Sequence, residues 1–291
     1  MTIADHTIFL QGGDTGIVLV HGLGGTPVEM KAAARGLHAA GHTVFCCQLA
    51  GHCGTEEDIL QTHWQDWRDS VVAAIDRLKA SCAHVFVGGI SMGALLALQG
   101  ARQRPDVVEG TLLYGPTLWY DGWSVPKYEF LLRWFINTPM GRAYRFVERE
   151  PYGLKDERLR ELIRTAMESG ASADAGLHAT PSGSLRELWR LVDDIKPALS
   201  TLKMPALILH AREDDISSLS NAFYLQQHLG GLVDMVVLDD SYHLVMIDRQ
   251  RDIVISRSIQ FIANVLERNA RLKSLAQKRE DVARQRALRD G

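Results

Sequence analysis

A serine lies at the centre of the segment Gly89-Ile90-Ser91-Met92-Gly93, which fits the pattern G-x-S-x-G. That pattern arises often by chance, but here a strand-like run (HVFVG, 84–88) precedes it and a helix-like run (92–103) follows it. A serine on such a turn has a strained backbone and an exposed hydroxyl at a helix N-terminus, where the helix dipole favours developing negative charge. The sequence therefore predicts Ser91 as a nucleophile, with a structural turn as the alternative.

A serine hydroxyl is weakly nucleophilic and needs a base to take its proton. Among the eleven histidines, His243 has the most suitable position, because it follows the last predicted strand and precedes the last predicted helix. Loops at the carboxyl ends of parallel strands are where an open α/β sheet builds its site. We therefore predict His243 as the base, with a histidine of a surface loop as the alternative.

The chain order serine, acid, histidine places an acid between these two residues. Asp214 follows the predicted strand 206–210 and would accept the imidazole N–H, fix its tautomer and stabilise the imidazolium. Asp215 is the first alternative, and Glu213 and Asp240 lie near in the sequence. Any of these acids could instead cap the helix that follows.

A glycine-rich turn, His21-Gly-Leu-Gly-Gly, follows the predicted strand 17–20. Such a turn can aim a backbone N–H at a developing oxyanion, so we predict an oxyanion hole made by the N–H groups of Leu23 and Met92. His21 is interpreted as a structural residue that holds this turn by hydrogen bonds. The turn is not a dinucleotide-binding loop, because proline occupies position 27, where that fingerprint has its third glycine.

These residues need elements to position them, and strands alternate with helices on both sides of a long middle segment. This alternation predicts an α/β fold with a mostly parallel sheet and helices on both faces. The predicted strands are 17–20, 43–48, 84–88, 107–114, 206–210 and 233–238. The predicted helices are 27–40, 64–79, 92–103, 219–229 and one that starts near 249.

The alternation stops over residues 116–197, which read as helical segments and loops without a convincing strand. This stretch is too long for an ordinary connecting loop. We therefore predict a core of residues 1–115 and 198–265, an inserted, mainly helical lid of residues 116–197, and a charged helical extension of residues 266–291. The extension is interpreted as a solvated end of the last helix, with a partner-binding or oligomer-forming helix as the alternative.

Composition excludes several other classes of protein. The 291 residues carry a net charge of −3 and 46% hydrophobic residues, which gives no reason to expect nucleic acid as a partner. No segment reads as a secretory signal or as an integral membrane helix, so a cytoplasmic location is expected. The four cysteines lack metal-ligand spacing, and we expect neither a metal nor an organic cofactor.

Five segments together resemble the α/β-hydrolase superfamily, and within it bacterial carboxylesterases and monoacylglycerol lipases. They are VLVHGLGGTP at 18–27, AGHCG at 50–54, GISMG at 89–93, LILHAREDD at 207–215 and SYHLVMID at 241–248. The resemblance implies the same triad and oxyanion donors, and a lid over the site. The chain departs from it at Ala211, where many members have glycine, and at Leu219, near where many have proline.

The expected activity is hydrolysis of small carboxylic esters through an acyl-enzyme. The predicted lid is rich in aromatic residues, of which Trp119, Trp123 and Tyr128 are candidates to contact an apolar substrate. The alternative is that they pack the lid's own small core or seat the lid on the main domain. Cleavage of a thioester, an amide or a diketone carbon–carbon bond remains open, as does a non-catalytic binding protein, and the sequence does not indicate an oligomeric state.

Overall fold

A seven-stranded sheet forms the centre of the molecule. The computed structural model describes residues 3–126, 131–147, 150–168 and 179–287. The strand order is β1-β3-β2-β4-β5-β8-β9, and every neighbouring pair is parallel except β1 with β3. These strands are β1 (Ile8–Leu10), β2 (Thr15–Val20), β3 (Thr43–Cys47), β4 (His84–Ile90), β5 (Val108–Tyr114), β8 (Ala206–Ala211) and β9 (Val233–Leu238). The predicted fold class is confirmed.

The sheet is covered on both faces, and this is why its central strands are continuous apolar runs rather than alternating ones. Every residue of β2 and β8 is buried. One core cluster joins the sheet to helices α3 (Trp64–Lys79) and α4 (Met92–Gln103). A second cluster, on other residues of the same strands, includes buried residues of α1 (Lys31–Ala39).

The register of the parallel strands brings their carboxyl ends to one edge. Val20 at the end of β2 pairs with Gly89, and Ile90 at the end of β4 pairs with Tyr114. The residues that follow β2, β4 and β5 therefore leave the sheet side by side. This edge is where the predicted site residues meet.

The segment between β5 and β8 contains a two-stranded antiparallel sheet, so the expectation that it has no strand is wrong. Its strands are β6 (Arg145–Val147) and β7 (Ala179–Pro181). Each is three residues long, which is too short to show an alternating pattern. Its helices are α5 (Leu132–Phe135), α6 (Pro139–Arg142), α7 (Glu157–Glu168) and α8 (Ser182–Ile195).

The last helix of the insertion is part of the main hydrophobic core. Leu188, Leu191 and Val192 of α8 are buried in the cluster that α3 and α4 share. Burial of a leucine or valine side chain stabilises a fold by roughly 1.5–3 kcal/mol. The insertion is therefore anchored to the core at its carboxyl end.

Two further helices complete the core region. Helix α9 (Leu219–His228) lies between β8 and β9, and α10 (Arg251–Ala287) follows β9. Phe261, Ile262 and Val265 of α10 are buried, whereas Leu272 and Leu275 are about half exposed. Among the described residues, no helix is long and apolar enough to cross a membrane.

Candidate active site

Ser91 occupies a sharp turn between β4 and α4. Its backbone has φ 55° and ψ −120°, a conformation that a residue with a side chain adopts only when its surroundings enforce it. The Ser91 N–H donates to the carbonyl of Tyr114 at 2.9 Å, which ties the turn to the end of β5. The side chain is partly exposed, as an attacking hydroxyl requires.

Close backbone contacts explain the glycines on either side of Ser91. A Cβ atom on Gly89 would lie 2.3 Å from the carbonyl oxygen of Gly93. One on Gly93 would lie 2.3 Å from the carbonyl oxygen of Val20. Real Cβ atoms do not approach a backbone oxygen so closely, so these two positions require glycine. The turn thus depends on G-x-S-x-G for steric reasons.

The imidazole of His243 is paired with the carboxylate of Asp214. His243 Nδ1 lies 2.8 Å from Asp214 Oδ2 and 3.1 Å from Asp214 Oδ1. The ring also packs near the turn after β5, because a Cβ on Gly115 would lie 3.4 Å from His243 Cε1. The Ser91 N–H donates to the carbonyl of Tyr114, the residue before Gly115. The structure therefore brings the three predicted residues to one place.

The charges of this pair determine how each group titrates. Burial opposes protonation of His243, but the carboxylates of Asp214 and Asp215 outweigh it and raise its pKa above the ordinary value of 6.5. Burial alone would raise the pKa of Asp214, yet the hydrogen bond and charge of His243 hold that pKa below its usual range. The geometry therefore favours an ionised Asp214 beside an imidazole that readily takes a proton.

The backbone fixes the acid before it meets the imidazole. Asp214 Oδ1 accepts the N–H groups of Ile216 at 2.9 Å and Ser217 at 2.7 Å. His210, at the end of β8, donates from Nε2 to the carbonyl of Ser217 at 2.7 Å. Burial lowers the pKa of His210, so this second imidazole is neutral beside the acid.

The other acids that the sequence left open have different partners. The carboxylate of Asp215 accepts the backbone N–H groups of Gly153 and His243, and among the described residues it has no hydrogen bond to the His243 ring. Glu213 and Asp240 lie at the surface and pair with the ammonium group of Lys155. Among these four acids, Asp214 alone contacts the His243 ring.

The predicted oxyanion donors lie on either side of Ser91. A Cβ atom on Gly22, the residue before Leu23, would lie 3.7 Å from Ser91 Cβ. The Leu23 N–H donates to no acceptor within the described part of the chain. The Met92 N–H is the first of α4, and the first N–H groups of a helix have no acceptor within it. Both donors are therefore free to bind a substrate oxygen.

Two side chains hold the loop that carries Leu23. His21 is fully buried; its Nδ1 lies 2.9 Å from the Gly22 carbonyl, and its Nε2 accepts the Leu49 N–H. Glu29 accepts the Gly22 N–H at 3.3 Å, and burial raises the pKa of this carboxyl to about 7. The sequence predicts this structural role for His21, whereas Glu29 stands in no pattern that distinguishes it.

The hydroxyl of Ser91 has a partner that the sequence analysis missed. Ser91 Oγ donates to Thr117 Oγ1 at 3.2 Å, and Thr117 is buried behind the turn after β5. Thr117 Oγ1 in turn lies 3.1 Å from Ser217 Oγ. These hydroxyl contacts link Ser91 to the loop between β8 and α9.

The three aromatic candidates for substrate contact fall in different places. Trp119 packs against Tyr224 of α9, with ring centroids 5.4 Å apart, and its Nε1 donates to Asp121. Trp123 is 58% exposed and packs on Tyr242, the neighbour of the base. Tyr128 lies outside the described residues. Of the two candidates that the structure describes, Trp123 is the one that packs on a residue adjacent to His243.

Within the described ranges, no group of three or more histidine, cysteine, aspartate or glutamate side chains could hold a metal ion. The described cysteines are free thiols, of which Cys46, Cys47 and Cys82 are buried.

Comparison with known proteins shows the family of the chain. The model of the Hydrolase_4 family, described as serine aminopeptidase S33, matches residues 14–250. The chain belongs to this family of α/β-hydrolases. The match extends over β2 to β9 and includes Ser91, Asp214 and His243.

Relatives within the family are esterases and lipases. The chain is 30% identical to a thermostable monoacylglycerol lipase of Bacillus sp. strain H-257, over 88% of its own length and 93% of the lipase. It is 21% identical to a carboxylesterase of Bacillus subtilis strain 168, over 87% and 94% of the two chains. These relatives identify the chain as an esterase- or lipase-like hydrolase.

A solved structure shows the same fold. It comes from work on LipS and LipT, two metagenome-derived lipolytic enzymes, and superimposes with a TM-score of 0.74 at 24% identity. The superposition covers 89% of this chain and 97% of the other. The likeness shows that the two chains share the same overall fold.

Proposed function

We propose that the protein hydrolyses carboxylic esters with an apolar acyl chain, monoacylglycerols among them, through an acyl-enzyme on Ser91. The observation that carries this proposal is the buried Asp214–His243 pair beside a strained serine turn. The names of the two Bacillus relatives support the substrate class.

In the first half-reaction, Ser91 Oγ attacks the ester carbonyl and its proton passes to His243 Nε2. The carbonyl oxygen becomes an oxyanion that the N–H groups of Leu23 and Met92 stabilise, and loss of one such donor typically costs about 3–4 kcal/mol. His243 then gives its proton to the leaving alcohol, and the acyl group stays on Ser91.

In the second half-reaction, water attacks the acyl-enzyme. His243 takes a proton from the water, the carboxylic acid leaves, and the proton returns to Ser91 Oγ. Asp214 keeps the imidazole in one tautomer and stabilises its positive charge in both halves. The reaction needs no group beyond the chain, the ester and water.

A substrate panel tests the proposal. We expect turnover of p-nitrophenyl esters and of monoacylglycerol, with kcat/KM rising from acetate to medium-chain esters. An aminoacyl p-nitroanilide, a thioester and a β-diketone of matched acyl size serve as the other arms. Faster turnover of any of these three than of the matched ester would contradict the proposal, provided that Ser91→Ala abolishes the activity.

A further inference from the structure

A short piece of the insertion lies directly on the loop that carries His243. We call it the strap, residues 152–156. The Leu244 N–H donates to the carbonyl of Gly153 at 2.8 Å, and a Cβ atom on Gly153 would lie 3.3 Å from His243 Cβ. Tyr152 and Gly153 both have positive φ, 56° and 72°, which turns the strap onto this loop.

Asp215 joins the strap to the base through its two carboxylate oxygens. Oδ2 accepts the Gly153 N–H at 3.1 Å, and Oδ1 accepts the His243 N–H at 3.2 Å. The residue is 1% exposed. A buried carboxylate with so little contact with water depends on these N–H donors, so it holds the two segments at a fixed spacing.

Asp248 makes a second connection of the same kind. Its Oδ2 accepts the N–H groups of Lys155 at 2.9 Å and Tyr242 at 2.7 Å. Its Oδ1 accepts the N–H of Asp156 at 2.9 Å. This residue is also buried. One carboxylate thus gathers two N–H groups of the strap and one of the residue before His243.

The ion pairs at the surface of the strap contribute less to its connection with the loop of His243. Lys155 Nζ lies 2.7 Å from Glu213 and 3.3 Å from Asp240, but both acids are more than half exposed. Exposed pairs contribute about 0–1 kcal/mol. The buried carboxylates therefore carry most of the coupling between the strap and the base loop.

From these contacts we infer that Asp215 and Asp248 are positioning residues, which use the strap to hold His243 in line with Ser91. The insertion is then part of the framework of the base as well as a cover for substrate. The inference rests on the proposed function, in which His243 is the base.

A merely structural role would also require these carboxylates, because they bind backbone N–H groups of the strap and of the base loop. The two roles differ in what a substitution changes. A structural role lowers the free energy of unfolding and leaves kcat of the folded enzyme unchanged. A positioning role lowers kcat of the folded enzyme, because a displacement of about 1 Å can cost about 100-fold.

The charge of Asp215 supplies a second way to distinguish a positioning role from a merely structural one. The groups that act on the His243 imidazole are the carboxylates of Asp214, Asp215 and Glu29, together with the neighbouring His210 ring. Asp215 is among the main groups that raise the pKa of His243, and Asp248 is not among them. Loss of the Asp215 charge should therefore shift the pH profile, whereas loss of the Asp248 charge should not.

The experiment compares Asp215→Asn, Asp248→Asn and the surface control Asp239→Asn in the full chain, on p-nitrophenyl butyrate well below each melting temperature. An asparagine accepts with one oxygen only, and its NH₂ group faces the remaining donors. We expect kcat to fall about 10- to 100-fold in D215N and D248N, with KM changed less than threefold. In D215N alone, the acid limb of kcat/KM should move to lower pH.

A fourth variant changes the strap itself. Gly153→Ala places a methyl group 2.9 Å from Leu244 Cγ at a positive φ, without altering any carboxylate. We expect a fall in kcat similar to that of D215N. G153A keeps the proposal testable if either asparagine variant fails to fold.

Unchanged kcat in folded D215N, D248N and G153A, or kcat losses equal to those of Asp239→Asn, would overturn the inference. Failure of the proposed function has a different signature. Wild-type protein would then lack ester turnover, or would turn over the matched thioester, amide or diketone faster than the ester, whatever the variants do.

Discussion

His243 Nδ1 lies 2.8 Å from Asp214 Oδ2, and both side chains are almost completely buried. The other oxygen of Asp214 is bound by two backbone N–H groups, so the acid does not need the imidazole in order to keep its orientation. The carboxylate of the neighbouring Asp215 instead accepts two backbone N–H groups, those of Gly153 and His243. Two adjacent aspartates of one loop thus have separate tasks: one faces the ring of the base, and the other faces its backbone.

Asp214→Asn should reduce kcat/KM on p-nitrophenyl butyrate by about 10⁴-fold, because an amide in this position favours the wrong imidazole tautomer. The loss should exceed that of Asp215→Asn by at least tenfold. Steady-state kinetics of the two purified variants measure both values. Equal losses, or a larger loss in D215N, would show that Asp215 is the acid.

Activity should fall as the solution is acidified, with the acid limb of kcat/KM above pH 6.5. A protonated imidazole cannot take the proton of Ser91, and Asp214 and Asp215 raise the pKa at which His243 becomes protonated. A pH series of kcat/KM on one ester measures the limb. A midpoint well below pH 6.5 would contradict the electrostatics derived for the site.

Thr117→Val should leave kcat within about threefold of the wild type. Thr117 accepts the Ser91 hydroxyl in the empty site, but His243 is the group that takes the proton during attack. Kinetics on p-nitrophenyl butyrate, with circular dichroism as the check on folding, test this. A loss of more than about 100-fold in folded T117V would instead place Thr117 in the proton path.

The two tryptophans predicted to contact substrate, Trp119 and Trp123, should respond differently to replacement by alanine. Trp119 is packed between α9 and the Lys196 side chain, so Trp119→Ala should lower the free energy of unfolding by about 3 kcal/mol. Trp123 is exposed beside Tyr242, so Trp123→Ala should leave stability within about 0.5 kcal/mol and raise KM for long-chain esters. Urea unfolding and an ester chain-length series measure these effects; the reverse pattern would refute the assignment.

Periodicity predicted most of the core because its strands and helices are long and apolar enough to show it. The strand β4 and helix α4 around Ser91 are examples, and so are β8 and β9. The edge strand β1 was not predicted, because it has three residues, two of them half-buried. The pair β6 and β7 was missed because its partners lie more than thirty residues apart and each is equally short.

The candidate site was predictable where a residue type is tied to a local pattern. Ser91 has the glycines of its turn, and His243 has its place after the last strand. Thr117, Glu29 and the strap have no such pattern, because their contacts depend on how distant segments pack. Asp215 and Asp248 were present in the segments that carry the family resemblance, yet their backbone partners could be seen only in three dimensions.

The most direct test is to trap the acyl group and locate it. Wild-type protein and Ser91→Ala are mixed with p-nitrophenyl butyrate, quenched in acid within milliseconds, and analysed by intact mass and peptide mapping. We expect a butyryl adduct on the peptide that contains Ser91, and none in S91A. A parallel reaction with a fluorophosphonate should label the same peptide, which covers the case in which the acyl-enzyme does not accumulate. Equal labelling of S91A, or an adduct on another residue, would contradict Ser91 as the nucleophile.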